Sequence, residues 1–133
     1  MILQIKKENK GMYIQYDGIV TGVDIMESNG YFSKNKIRGF NYFIHDLTFA
    51  AMVDVSIGSL RIKVAINKNA ARANKDLCQI FVCCNKDVKQ LIEDYKELMS
   101  TGMNRWEIVI VDTLEEAIKI ASERVVRSMG VQC

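Results

Sequence analysis

The sequence of 133 residues contains no proline, a single histidine and only four cysteines. Without proline, the turns must be made by glycine, asparagine and aspartate. Cys78, Cys83, Cys84 and Cys133 show no CxxC spacing, and His45 has no neighbour at a ligand spacing. A zinc site or a disulfide framework is therefore not expected, and no metal or cofactor is predicted. Cys83 and Cys84 end an apolar run, so we interpret them as packing residues rather than as a redox switch.

Long apolar runs and a strong charge of one sign are also missing. The longest apolar runs, 49–53 and 80–84, have five residues each, whereas a membrane-spanning helix needs about 20. The N-terminus changes from apolar to basic after five residues, which is the reverse of a secretory signal. The net charge of +2 is too small to indicate nucleic acid or an anionic membrane surface. We therefore expect a cytoplasmic protein with no membrane span and no nucleic-acid partner.

The composition is that of an ordinary globular domain. Hydrophobic residues make up 49% of the chain and charged residues 26%, which excludes disorder and coiled coil as the main state. A chain of this length buries enough surface to fold without disulfides or metal. Residues 1–133 are therefore predicted to form a single domain.

The first third of the chain predicts two strands followed by a helix. Residues 2–6 and 11–17 are short β-type runs joined by a connection of hairpin length, which indicates an antiparallel hairpin. Thr21 precedes Asp24 by three residues, the pattern of a capped helix start. We predict a helix over about residues 22–34.

Alternating strands and helices follow. Residues 40–47 are rich in aromatic and β-branched side chains and predict a strand. A loop comes next, then a helix over 57–72 with Ser56 as its N-cap. Residues 77–84 form an almost continuous apolar run, typical of a strand buried on both faces.

The last third repeats the pattern. Apolar residues at helical spacing mark a helix over about 88–99, residues 106–111 predict a strand, and Thr113 with Glu116 opens a last helix. The order is β-β-α-β-α-β-α-β-α, which predicts an α/β fold with a mainly parallel sheet of about five strands and an antiparallel N-terminal edge strand. Alternation along the last two strands predicts two apolar faces that helices cover, one with Ile80, Val82, Ile108 and Ile110 and the other with Leu77, Phe81, Val109 and Val111.

One segment resembles a known family. Asp46-Leu47-Thr48 ends a predicted strand, and Asp54 and Ser56 stand where the next helix begins. A strand ending in Asp-Leu-Ser/Thr, an apolar loop and then Asp-Ser-Ser/Thr-Gly is the signature of STAS domains, the family of anti-sigma-factor antagonists. Residues 16–22 and 112–117 are similar to a bacterial, SpoIIAA-like branch of that family, and the resemblance covers about Met12 to Ser122.

The resemblance implies a single STAS-like domain that regulates protein partners without catalysing a reaction. In the family the hydroxyl residue at the Ser56 position is phosphorylated by a partner kinase, which switches binding. Val55 and Ile57 depart from the motif by replacing its first hydroxyl residue and its glycine. The residues expected to contact a partner or carry phosphate are Ser56, Asp54, Asp46, Thr48, Arg61 and Arg72.

Each of these features has an alternative interpretation. A hydroxyl at position 56 is also what an N-cap requires. Arg61, Lys68, Arg72 and Lys75 form a basic stripe that suits an acidic partner, but a charged stripe is also the solvated face of any surface helix.

The sequence shows none of the common catalytic motifs, so an enzyme is not predicted. A second hypothesis is a carrier or sensor of a small lipophilic ligand, because the STAS fold is often compared with Sec14-type lipid carriers. Phe49 and Met52 would then line a pocket at the carboxyl edge of the sheet. Filling of an ordinary core is the alternative role for these two side chains.

Overall fold

The structure is a computed structural model that describes residues 1–8, 10–30, 39–72, 74–102 and 106–129. Across these ranges the chain forms five strands and four helices in the predicted order. The strands are β1 (Ile2–Glu8), β2 (Gly11–Thr21), β3 (Tyr42–Asp54), β4 (Cys78–Val82) and β5 (Glu107–Val111). The helices are α1 (Gly22–Asn29), α2 (Ile57–Ala71), α3 (Lys86–Met99) and α4 (Leu114–Ser128). No helix in the described part combines the length and apolar composition that crossing a membrane requires.

The sheet has the strand order β1-β2-β3-β4-β5. β1 pairs antiparallel with β2, and the other three pairs are parallel. The prediction of a mainly parallel sheet with an antiparallel N-terminal edge strand is therefore confirmed. Lys10 adopts a φ of 71° in the tight turn between β1 and β2.

Polar side chains begin the helices as predicted. The Ser59 amide donates to Ser56 Oγ at the start of α2, and the Glu116 amide donates to Thr113 Oγ1 at the start of α4. At α1 the Thr21 amide donates to Asp24 Oδ2 at 2.9 Å. α1 ends at Asn29, earlier than predicted, and residues 31–38 lie outside the described ranges.

Helices cover both faces of the sheet, as predicted. α1, α2 and α3 pack on one face with a large core that includes Phe43 and Phe81. α4 covers the other face, where a smaller core includes Ile44 and Ile80. This is the arrangement expected of parallel strands that are apolar on both sides.

The predicted division of β4 and β5 side chains between the faces is wrong by one residue. Ile80 pairs with Val109 and Val82 with Val111, so these four share the α4 face. Phe81 lies on the opposite face with Ile108 and Ile110, which pack against the larger core. Alternation along each strand holds, but the register between strands is set by backbone pairing and not by either strand alone.

β3 is much longer than predicted. Residues 48–54, expected as a loop, continue the strand and pair with β2 as far as Thr21 opposite Asp54. β4 accompanies β3 only from Tyr42 to Asp46. The ends of β2 and β3 therefore extend beyond β4 as a two-stranded segment, which we call the ribbon (residues 17–21 and 49–54). Pairing with β2 satisfies the backbone of this alanine-containing segment and outweighs its weak strand propensity.

Candidate functional site

Ser56 lies on the surface where the ribbon meets α2. Its hydroxyl oxygen accepts from the Ser59 amide at 3.1 Å, and Ser56 Oγ also contacts Ser59 Oγ at 3.1 Å. The residue is exposed, as is Asp54 two residues earlier. Ser56 is thus an N-cap whose hydroxyl remains accessible to solvent.

The structure brings only part of the predicted partner surface together. Arg61 is exposed in the second turn of α2, near Ser56. Arg72 is the C-cap at the other end of α2, 16 residues after Ser56 and therefore about 24 Å from it along the helix axis. Arg72 and Ser56 therefore cannot contact the same small group on a partner.

Asp46 is buried and occupied by hydrogen bonds inside the protein. The Tyr13 hydroxyl donates to Asp46 Oδ2 at 2.5 Å, and the Thr48 amide donates to Oδ1 at 3.0 Å. The Thr48 hydroxyl donates to the same Oδ1. Asp46 therefore fixes the Thr48 backbone at the point where the pairing of β4 with β3 ends. Thr48 itself is exposed.

The outer face of the ribbon is apolar and exposed. Val20 and Val53 are register partners that pack into the large core. Ile19 and Met52, the neighbouring register partners, point the other way because side chains alternate. Ile19, Phe49 and Met52 are 53%, 58% and 50% exposed. These three residues are here called the ribbon patch; the strand that carries Phe49 and Met52 ends at Asp54, three residues before α2 begins at Ile57.

A continuous chain of buried polar side chains crosses the core beneath α1, α2 and α3. Tyr16 Oη lies 3.0 Å from His45 Nδ1, and His45 Nε2 lies 3.0 Å from Gln79 Oε1. Gln79 Nε2 donates to Tyr95 Oη at 2.6 Å, and Tyr95 Oη donates to Asn67 Oδ1 at 2.6 Å. We call this chain, with the residues described next, the polar network.

The polar network ends at Asn29 and Lys63. Asn67 Nδ2 and Lys63 Nζ both donate to Asn29 Oδ1, at 3.3 Å and 3.2 Å. Lys63 Nζ also lies 5.1 Å from the centroid of the Tyr95 ring, a cation–π geometry. All the side chains of the network are buried.

Burial determines the protonation of these groups. It lowers the pKa of Lys63 to about 7. Burial, together with the positive charge of Lys63, holds the pKa of His45 well below its usual value. Burial raises the pKa of Tyr16 and Tyr95. His45 is therefore neutral, with Nε2–H donating to Gln79 and Nδ1 accepting from Tyr16.

A cavity of about 60 Å³ lies against this network. Tyr16, Ser28, His45, Lys63 and Tyr95 line it together with apolar side chains of β2, β3 and the three helices. Phe49 and Met52 are not among the lining residues. The lipophilic pocket predicted at those two residues thus has no counterpart in this cavity and stays a prediction.

The polar network was not predicted from the sequence, although a signal was present. His45 and Gln79 interrupt apolar strands, and Lys63 and Asn67 lie four residues apart among the core positions Leu60, Val64 and Ala71 of α2. Polar residues at apolar positions of two strands and a helix indicate that those positions meet in the core. Of the cysteine pair, Cys83 is buried as expected of a packing residue, whereas Cys84 is exposed.

Comparisons with known proteins show similarity in structure. No protein-family model matches the chain, and no curated protein matches it. The anti-sigma factor antagonist SpoIIAA in its unphosphorylated form superposes with a TM-score of 0.59 at 13% identity, covering 92% of this chain and 98% of that one. Phosphorylated SpoIIAA, a Bacillus cell fate determinant, superposes with a TM-score of 0.54, also at 13% identity, covering 90% of this chain and 98% of that one. The chain therefore has the STAS-like α/β fold of SpoIIAA.

Proposed function

We propose that this protein is a non-catalytic regulatory module that binds a protein partner through the ribbon patch and the start of α2. The observation that carries the proposal is an exposed apolar patch on a two-stranded segment whose second strand ends at Asp54, two residues before the exposed N-cap Ser56. A partner seated there would contact both features at once.

The ribbon patch has the character of an interface. Single exposed apolar side chains are normal on protein surfaces, but neighbouring large ones mark binding sites. Ile19 and Met52 are register partners, and Phe49 pairs with Asp17 in the same ribbon. A rigid, paired backbone presents these side chains, so binding requires little ordering of the chain.

Ser56 is positioned to switch such an interface. Phosphate at a helix N-terminus is stabilised by free amide groups and the helix dipole, while Asp54 nearby would repel it. The two effects are of similar size, about 1 kcal/mol or less. The fold should therefore tolerate the modification. An interface that buried Ser56, however, would have to desolvate a dianion.

The similar structures suggest the partner class. SpoIIAA is an antagonist of an anti-sigma factor and exists in phosphorylated and unphosphorylated forms. We propose that this chain likewise binds an anti-sigma-type protein and that Ser56 is its modified residue. The replacements at Val55 and Ile57 imply a kinase that reads a different motif.

Purified variants test the proposal. Binding to anti-sigma-type proteins encoded in the same genome is measured for wild type, Ser56→Asp and the double variant Phe49→Ser/Met52→Ser. Both variants should bind at least about tenfold more weakly. Ser56→Asp places a charge in the interface, and the double variant removes its apolar contacts. Ser122→Asp adds the same charge on an exposed position of α4 and should bind like wild type.

Two results would contradict the proposal. If no such protein binds wild type, the partner class is wrong. If Ser122→Asp weakens binding as much as Ser56→Asp does, the effect is one of overall charge and the site lies elsewhere.

A further inference from the structure

We propose that the outer edge of β5 is a dimerisation surface, to which a second copy of this chain adds its own β5 in antiparallel orientation. The sheets of the two copies would then continue into each other around a two-fold axis. β5 is the edge strand farthest from β1, whereas the ribbon patch belongs to β2 and β3. The inference therefore does not depend on the function proposed above.

The two edge strands of the sheet differ in their protection. β1 carries the exposed Lys6 and has a register irregularity near its start, and both features discourage pairing with another chain. β5 pairs with β4 in a regular register and is apolar after its first residue. That first residue, Glu107, forms an ion pair with Arg124 of α4. Among the described residues, no segment pairs with the outer side of β5.

The backbone of β5 shows which groups an added strand would meet. The Cys83 amide donates to the Val111 carbonyl oxygen at 3.0 Å. Because the direction of the backbone groups alternates along a strand, Val109 also turns its amide and carbonyl groups towards β4. Ile108 and Ile110 therefore direct theirs away from the sheet. An unpaired strand edge of this kind is a template for another strand.

These outward groups suit a symmetric partner. In an antiparallel pair, two residues that exchange both backbone hydrogen bonds lie directly opposite each other. With the two-fold axis at Val109, Ile108 of one copy lies opposite Ile110 of the other. The outward amide and carbonyl groups of both copies then pair with one another, and isoleucine meets isoleucine on one face of the sheet. Self-complementarity of this kind closes a dimer.

The surroundings of the edge leave room for a second copy and offer it complementary charges. A groove of about 460 Å³ follows β5 and is lined by residues 106–110 and by Glu93, Lys96 and Ser100 of α3. Glu93 and Lys96 are exposed and lie about one helical turn apart. A two-fold axis reverses their order in the second copy and would bring Glu93 of each copy towards Lys96 of the other. Charges of opposite sign therefore flank the paired strands.

Sedimentation equilibrium of the full chain, from about 10 µM to about 1 mM, tests for the dimer. Wild type should show a reversible equilibrium between monomer and dimer. Val109→Lys places two like charges at the axis and should weaken the dimer at least about tenfold. Val23→Lys is the matched control, because it makes the same change at an exposed position of α1 and should leave the equilibrium unchanged.

Two further measurements locate the contact without relying on Val109. Hydrogen exchange at the Ile108 and Ile110 amides should slow as the protein concentration rises, because dimerisation pairs these amides, whereas exchange along β1 should not change. Glu93→Lys should weaken the dimer several-fold, and combining it with Lys96→Glu should restore the wild-type equilibrium. Both α3 positions are exposed, so these variants should fold even if Val109→Lys does not.

Three results would overturn the proposal. A wild-type chain that stays monomeric up to about 1 mM would exclude a second copy, and protection of the Ile108 and Ile110 amides by another protein would then assign the edge to a strand of that protein. A dimer that a folded Val109→Lys variant and Glu93→Lys both leave intact would have its interface elsewhere. Assembly that continues beyond the dimer would show open-ended pairing in place of a closed two-fold contact.

Discussion

The two faces of the sheet are built on different principles. On the α4 face, strand side chains such as Ile44 and Ile80 pack with Ala117 and Ala121 in an apolar core. On the opposite face, the polar network passes from Tyr16 to Lys63 through the core, with the His45 ring stacked at 4.7 Å from Phe43 and 4.5 Å from Phe81 between ring centroids. The α4 face gains stability from the burial and close packing of apolar side chains. The network face also depends on its buried hydrogen bonds, because polar groups are costly to bury unpaired.

The polar network makes the core beneath α1, α2 and α3 more polar than folding alone requires. An apolar core would suffice to hold α1, α2 and α3 on the sheet, as it does for α4. Local departures from folding rules tend to occur at functional sites. The polar network and its cavity lie beneath α1, α2 and α3, whereas the ribbon patch points away from that core.

Adjacent substitutions in β4 give the largest expected contrast. Gln79→Leu breaks the polar network at its centre by removing the acceptor for His45 Nε2 and the donor to Tyr95 Oη, so it should lower the free energy of unfolding by about 3 kcal/mol. Ile80→Val, the next residue on the α4 face, should cost only about 1 kcal/mol. Urea denaturation measures both. If Gln79→Leu is no worse than Ile80→Val, the network contributes no more than ordinary packing.

The pH dependence of stability should come from the network face. Burial lowers the pKa of Lys63 from 10.5 to about 7, so above pH 7 the unfolded chain binds more protons than the folded chain. Stability therefore rises with pH, by roughly 1.5 kcal/mol between pH 7 and 8.5.

Between pH 7 and 8.5, the titration of Lys63 contributes most of the change in stability expected from the buried groups. His45, with a lowered pKa, acts below this window. Burial raises the pKa of Cys78 and that of Cys83, the latter to about 11, so these thiols begin to oppose the increase only near the upper end of the window, where unfolded thiols start to ionise. The buried tyrosines act above it. Urea denaturation at the two pH values should show the increase in wild type and in Lys96→Met but not in Lys63→Met. A flat profile in wild type would mean that Lys63 is solvated.

The two hydroxyl N-caps allow a matched comparison of α2 with α4. Ser56→Ala and Thr113→Ala should each lower the free energy of unfolding by about 1 kcal/mol, because each removes an acceptor for a helix amide. Ser56→Asp and Thr113→Asp should change it by less than about 0.5 kcal/mol, since aspartate is also a good N-cap. Thermal unfolding checks the four values. Loss of folded protein in Ser56→Asp alone would show that Ser56 has only a buried structural role.

The smallest effect is expected at the ribbon patch. Phe49→Ser and Met52→Ser replace exposed side chains and should change the free energy of unfolding by less than about 0.5 kcal/mol. Differential scanning calorimetry measures this, with Phe43→Ser in the core as the destabilised reference. A large loss of stability at either exposed position would show that the ribbon patch is part of the core and not a free surface.

The predicted site residues were only partly brought together, for physical reasons. Asp54 and Ser56 are neighbours in sequence, so their proximity follows from the chain itself. Asp46 was predicted at a strand end facing a partner, but the structure places it in mid-strand with Tyr13 and Thr48 as its partners. Tyr13 is distant in sequence, so the residues around Asp46 do not indicate that the Tyr13 hydroxyl will donate a hydrogen bond to its carboxylate.

The order of the elements, the helix caps and the burial of both sheet faces are determined by the sequence itself. These features follow from periodicity and from contacts within a few residues, such as Thr113 with Glu116. The length of β3, the register of β4 with β5 and the polar network were decided only by the tertiary structure. Residues 48–54 are a strand because β2 lies beside them, and Lys63, His45 and Gln79 tolerate burial because the fold brings hydrogen-bond partners from distant segments. Backbone pairing and buried hydrogen bonds between distant residues depend on the whole fold, and a local pattern cannot encode them.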